Sequence, residues 1–195
     1  HTRCSRDWSS EVCSSDLAFF LTAVGMFAIT VQLVVFLIEA GFSPLVAATT
    51  FGILGMLSSM SIMGSGPIAE RFGILRTVST SYAGTAVGML LLIALTAWPS
   101  AALLAVFVPV FGLCQGTRGP IISSICARYF AGPRVATIYG TLYSSNALGA
   151  ALGSFLGGLL HDLTGGYRVG LAFSLACMAL AAAPFWTVPA LRKFR

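Results

Sequence analysis

From Leu17 onward the chain is written in long apolar stretches separated by short polar or glycine- and proline-bearing breaks. Residues 17–38, 40–69, 77–117, 135–160 and 169–191 contain no charged side chain. The stretches are continuously apolar and do not alternate with period two, which predicts helices and not barrel strands. A helix needs about 20 apolar residues to cross a ~30 Å hydrocarbon core. The stretch 40–69 opens with the turn Gly41-Phe42-Ser43-Pro44 before its apolar part. The stretch 77–117 is too long for one crossing, and Trp98-Pro99-Ser100 divides it, because Pro favours a first helical turn and Trp a membrane interface. The pattern therefore predicts an all-α membrane protein with six transmembrane helices, at approximately 17–39, 44–64, 77–97, 100–127, 134–160 and 168–190. The short connections make neighbouring helices antiparallel.

Composition supports that class. Apolar residues make up 57% of the chain and charged residues only 9%, with a mean hydropathy of +0.91. A soluble domain carries about a quarter charged residues, and a disordered chain is poor in apolar ones, so both are excluded. The net charge of +5 then bears on membrane topology and not on nucleic acid. The connections 65–76 and 128–134, with the C-terminal tail, carry Arg71, Arg76, Arg128, Arg134, Arg192, Lys193 and Arg195. The connections on the other side, 39–43, 98–100 and 161–168, carry only Arg168. By the positive-inside rule the first group, and with it the C-terminus, is cytoplasmic. Of the five cysteines, Cys114, Cys126 and Cys177 lie in apolar runs, where a thiol acts as a small hydrophobe. No cluster of His, Cys and carboxylate suggests a metal, and no cofactor is expected.

Residues 1–16 (HTRCSRDWSSEVCSSD) differ in kind, holding Arg3, Arg6, Asp7, Glu11 and Asp16 together with five serines. They resemble a translated sequencing-adapter scar, with a linker as the other reading, and are set aside. On the scar reading the protein extends upstream and the chain is a fragment.

The connection between the second and third predicted helices reads Gly66-Pro67-Ile68-Ala69-Glu70-Arg71-Phe72-Gly73-Ile74-Leu75-Arg76. It resembles the loop motif of the major facilitator superfamily: Gly, three residues, an acid, Arg, any residue, Gly, then basic residues. Here Glu70 stands where Asp is commoner, Ile74 and Leu75 replace the basic pair, and Arg76 comes late. The fifth stretch, with Ile138-Tyr139-Gly140, Gly149-Ala150-Ala151-Leu152-Gly153 and Gly157-Gly158-Leu159-Leu160-His161-Asp162-Leu163-Thr164-Gly165-Gly166-Tyr167, looks like the eleventh helix and following loop of facilitators near the monocarboxylate and oxalate/formate transporters. The resemblance covers residues 17–195. It implies the C-terminal half of a twelve-helix bundle, a missing N-terminal six-helix half, and a motif loop (Gly66, Glu70, Arg71, Gly73, Arg76) whose pairings bias one conformation over another. A solvated turn that obeys the positive-inside rule is the plainer reading of that loop.

Helical spacing then selects candidates for a solute pathway. On the fifth helix Tyr139, Tyr143, Asn146, Gly149, Gly153 and Gly157 fall within about 120° of one another. The glycines, four apart, suit close helix packing. The tyrosines and Asn146 need a neighbouring helix or a wet cavity. On the fourth helix, near Gln115, Pro120 has no N–H for the carbonyl of Gly116, so the helix should kink or break there. Arg118 lies ten residues before Arg128, about 15 Å along a straight helix. It either balances charge and binds a carboxylate in a central cavity or ends an early-terminating span and snorkels to the surface; the second is the default. On the first helix Thr22, Gly25, Ile29 and Gln32 share an arc of about 80°. Gln32 is a pathway candidate, with interhelical hydrogen bonding the commoner role. Glu39, His161 and Asp162 fall at the outer end, far from the midplane, which makes proton coupling through them a minor expectation.

The function expected is secondary active transport of a small-molecule solute across a lipid bilayer, with proton or ion coupling, by rocking of two six-helix bundles. Arg118 and the branch resemblance favour monocarboxylate-like anions, in the inner (plasma) membrane of a bacterium. Drug efflux is the alternative. A six-helix intramembrane enzyme is disfavoured, because Met63-Gly64-Ser65-Gly66 is no serine-protease motif and His161 is predicted on the opposite side.

Overall fold

A computed structural model describes residues 17–121 and 135–187. The expectations for residues 1–16, for the loop holding Arg128 and Arg134, for Cys126 and for the C-terminal tail lie outside the described residues. All regular structure described is helical: α1 (Leu17–Glu39), α2 (Pro44–Phe72), α3 (Ile74–Ala97), α4 (Ala101–Ile121), α5 (Val135–Thr164) and α6 (Arg168–Thr187). Four of these, α1 to α4, are long and apolar enough to cross a membrane, and the apolar part of α6, Arg168–Ala183, is shorter.

Local chemistry accounts for the breaks. Gly41 turns the chain after α1 with φ +95°, and Ser43 caps α2, its Oγ accepting from Val46 N at 3.3 Å, with Pro44 at the first helical position. Trp98-Pro99-Ser100 separates α3 from α4 as the sequence predicts. α1 is itself interrupted by a turn at Val31–Gln32, where Gln32 N bonds back three residues to Ile29 O at 3.0 Å. Thr30 Oγ1 donates to Met26 O at 2.8 Å one turn earlier, a back-bond of the kind that bends helices.

The connection between α2 and α3 corrects the sequence reading. The charged stretch is not a loop: α2 continues through Glu70 and Arg71 to Phe72, and α3 begins at Ile74, well before 77. Only Gly73 lies between them, at φ +87° and ψ 146°, a region essentially reserved for glycine. Gly66, the first residue of the motif, sits inside α2 with open space where a Cβ would point. We expect Gly73→Ala to lower stability by about 1–3 kcal/mol. That would be read as a fall in the thermal midpoint of the detergent-solubilised protein, with Gly66→Ala unchanged or slightly raised.

The helices alternate in direction. Glu39 Oε2 and His161 Nε2 lie 3.5 Å apart and Arg168 Nε donates to Thr96 Oγ1 at 3.1 Å, so the ends of α1, α3 and α5 and the start of α6 share one end of the bundle, here called the His161 end. α4 packs against both α2 and α3, and α6 against α3. The core is built of Phe107, Phe111, Met89, Leu92, Leu33, Leu37 and Met178, all essentially without exposure. Phe107 and Phe111 stack with centroids 5.0 Å apart, and the Phe111 ring lies where a Cβ on Gly88 would be, 2.7 Å away. Outside this core α2 exposes Leu45, Met56, Met60 and Met63. Lipid covers such a surface at little cost, whereas water does not.

Candidate functional site

α1, α2, α4 and α5 line an open cavity of about 900 Å³, within the usual range for small-molecule sites. Its polar lining comes from Thr22 of α1, Ser58 of α2, Gln115 and Arg118 of α4, and Tyr139, Tyr143 and Asn146 of α5. Five residues singled out in the sequence, Gln115, Arg118, Tyr139, Tyr143 and Asn146, are thus brought to one space.

The break in α4 is what positions Arg118. Pro120 withholds a donor from Gly116, and the helix is interrupted by a turn at Thr117. The carbonyls left at that end find other donors: Ser61 Oγ of α2 donates to Leu113 O, while Ser81 Oγ of α3 and Thr117 Oγ1 donate to Cys114 O. Gly116 lets the backbone of Ser58 approach directly, with no room for a Cβ. The broken end is therefore fixed by neighbouring hydroxyls, and a carbonyl-rich helix terminus favours the cation that follows it.

Snorkelling, the default reading of Arg118, is overturned. The side chain is 4% exposed and turns into the bundle. Its guanidinium lies over the Tyr82 ring with Cζ 4.9 Å from the centroid, and Nη1 and Nη2 point to the sulfurs of Met178 and Met26 at 3.3 and 3.6 Å. Thioethers are weak acceptors. Nε is buried with no hydrogen-bond partner, as is Gln115 Oε1. Among the described residues no carboxylate pairs with Arg118. Tyr82 is held in turn by Thr22, whose Oγ1 lies 2.8 Å from the phenol oxygen.

Sequence reasoning missed Tyr82, Met26 and Met178. The one available signal was Tyr82 itself, a polar tip inside an apolar span that required a partner.

Tyr139 and Tyr143 form a pair on α5, ring centroids 4.7 Å apart and phenol oxygens 3.2 Å apart. Beyond them Gly149, Gly153 and Gly157 press on the α1 backbone at Phe20, Val24 and Ala28. A Cβ on Gly149 would lie 2.6 Å from the Phe20 carbonyl oxygen, and those on Gly153 and Gly157 would meet the Val24 and Ala28 carbonyls more closely still. The same helix face is therefore cavity wall at its start and packing seam farther on.

Gln32 is not at the cavity. It lies in a small space of about 20 Å³ near Phe36, Gly157 and His161, with its Nε2 3.2 Å from where a Cβ on Gly158 would be. The turn at Val31–Gln32 and the length of α1 separate it from Thr22. Glu70 and Arg71 are exposed on the last turn of α2, and Glu70 lines a second, smaller space together with Pro120 and Ile121 of α4. No ion pair joins them among the described residues, and Arg71 Cζ lies 5.8 Å over the Phe72 ring. Arg76 is exposed on the first turn of α3.

A family model, Major Facilitator Superfamily, matches residues 16–194. The chain belongs to the major facilitator superfamily. It is on that footing a membrane transporter, and the family is one of transporters and not of enzymes. No curated protein matches the chain. The geometry also gives the protease alternative no support. Ser65 donates to Ile62 O at 2.7 Å inside α2, and some 21 residues of helix, roughly 30 Å, separate it from the His161 end.

Proposed function

We propose that the chain is the C-terminal six-helix half of a facilitator that moves small organic anions, monocarboxylate-like in size, by alternating access, with its C-terminus in the cytoplasm of a bacterial cell. What supports the anion is one observation: a buried guanidinium beside a cavity of about 900 Å³, with two thioethers, the ring and hydroxyl of Tyr82 and the Cys114 thiol around it but no carboxylate among the described residues. A charge kept in an apolar bundle calls for a counter-charge. In the described residues none is built in, so an anionic solute completes the site. Tyr139, Tyr143 and Asn146 offer polar tips opposite, and Phe19 and Phe27 the apolar wall. Binding at the midplane between two such halves, followed by rocking, is the transport cycle this suits. The stretch Gly66–Arg76, exposed at the end opposite His161, would contact the other half as the cycle proceeds. A proton or ion would serve as the coupling partner.

The second reading, drug efflux, rests on the aromatic and small residues of the same wall. The two are separated by reconstituting the full-length protein in proteoliposomes and measuring saturable uptake of labelled short monocarboxylates against extrusion of a lipophilic fluorescent cation. The anion reading expects monocarboxylate uptake that other carboxylates compete away. Transport of the cation alone would overturn it in favour of efflux, and Gln32→Ala should leave either activity within about twofold, as a residue away from the solute.

A further inference from the structure

At the end of the bundle away from the Arg118 cavity, His161 stands between two carboxylates. Nε2 lies 3.5 Å from Glu39 Oε2 on α1, and Nδ1 lies 3.5 Å from Asp162 Oδ1 on its own helix. The side chain is about a quarter exposed, while Glu39 and Asp162 reach solvent. The ring is backed by Tyr167 of the α5–α6 connection, centroids 4.4 Å apart, and Tyr167 meets Phe36 of α1 edge-on at 5.1 Å. Arg168 is turned to Thr96 of α3 and pairs with neither carboxylate. The small space beneath adds only the neutral Gln32. Burial, then the facing carboxylates of Glu39 and Asp162, push the Tyr167 phenol up, so it stays neutral wherever imidazole titrates.

This arrangement has an asymmetry that a single carboxylate would lack. A neutral imidazole has one N–H and one lone pair. Whichever tautomer forms, one nitrogen presents its lone pair to a carboxylate oxygen. Only the imidazolium donates to both.

We propose that Glu39, His161 and Asp162 form a proton-binding clasp that holds α1 to α5 when His161 is charged and loosens when it is neutral. The two helices it joins are two of the four that line the cavity, through Thr22 and Met26 on one side and Tyr139, Tyr143 and Asn146 on the other. Between clasp and cavity runs the glycine seam, where Gly149, Gly153 and Gly157 lie against the backbone of α1. The clasp closes the His161 end of that seam, so its state bears on how firmly the ends of α1 and α5 are held together beyond the packed glycines. Imidazole changes charge between about pH 5 and 8. The sign follows from the charge: the clasp is closed when His161 carries its proton and opens when the ring is neutral. The consequence for transport rests on the function proposed above, but the proton-dependent contact does not.

The test is a distance measurement on the full-length protein in lipid. Spin labels are placed at Ala40→Cys and Leu163→Cys in a background free of other cysteines, and their separation is followed by pulsed electron resonance from about pH 5 to 8. The clasp predicts a population of longer distances that grows with pH, by about fivefold over that range, the worth of a half-exposed ion pair. His161→Gln should hold the long population at every pH, and His161→Lys should hold the short one. A wild-type distribution that ignores pH, or a His161→Gln protein that keeps the wild-type response, overturns the proposal. Uptake assays on the same preparation separate the two ideas: a protein that shows the distance change but transports neither anion nor cation refutes the transport reading and leaves the clasp standing.

Discussion

Gly153→Leu should abolish recovery of folded protein, and Gly153→Ala should lower its stability by about 1–3 kcal/mol, the usual cost of overpacking. The reason is what a new Cβ would meet. At Gly153 it would fall against the carbonyl, Cα and carbonyl carbon of Val24, all backbone. A side chain can rotate away, but a helix backbone can only move as a rod. The same contact recurs one turn to either side, Gly149 on Phe20 and Gly157 on Ala28, so α1 cannot yield at Val24 without losing both neighbouring contacts. In lipid this matters more than in water, because close packing and weak Cα–H···O contacts carry association that the hydrophobic effect does not supply. Ala is intrinsically the better helix former by up to about 1 kcal/mol, so a net loss would be a clear sign of steric conflict. Gly52→Ala and Gly140→Ala are the controls, since nothing lies within 4 Å of a Cβ at either position. Size-exclusion profiles and thermal midpoints in detergent read the difference. A Gly153→Leu protein as monodisperse as the parent would show that α1 and α5 do not pack through this seam.

That seam shows what a sequence can disclose. A four-residue glycine period on an apolar helix specifies a close approach, and the face it defines also carries Tyr139, Tyr143 and Asn146 into the cavity. Periodicity determines such relations within one helix. The interruption of α4 was equally legible, because Pro120 removes a specific donor whatever surrounds it. Relations between helices were less accessible. Gln32 shares an arc with Thr22, yet α1 turns at Val31–Gln32, and that turn comes from a local back-bond that apolar patterning does not register. Charge and glycine both signal chain reversal, so the charged motif reads as a loop in the sequence. At a membrane surface, however, a helix can run on into water, and α2 carries Glu70 and Arg71 out on its last turn before Gly73 alone makes the bend. Arg118 was the hardest case. Burial and snorkelling differ by which way one flexible side chain points, and that depends on Tyr82, Met26 and Met178 from three other helices.

The fate of Arg118 leads to the second large effect. Arg118→Ala in the full-length protein should remove anion uptake while leaving insertion into the membrane intact or improved. The two outcomes have opposite signs for a physical reason. An Arg within a span costs about 2.5–3.5 kcal/mol on insertion scales, so deleting it eases assembly. Truncating one member of a buried, hydrogen-bonded charge pair costs about 2–5 kcal/mol of binding. At about 1.4 kcal/mol per tenfold, that is a loss of some 30-fold to several thousandfold in uptake at low solute concentration. Misfolding would lower both insertion and uptake, so the opposed signs distinguish a solute-binding arginine from a structural one. Arg118→Lys sharpens the test. Lysine keeps the charge but not the planar fork that lies on Tyr82 and spans the sulfurs of Met26 and Met178, so it should recover part of the uptake with a raised KM. Removing the Tyr82 hydroxyl, by Tyr82→Phe, keeps the ring beneath the guanidinium while losing the hydroxyl's contacts to Thr22 and to Arg118, with a smaller expected effect than Arg118→Ala. If Arg118→Ala transports the anion as the parent does, the guanidinium balances some other charge of the bundle and the solute is recognised elsewhere along the wall.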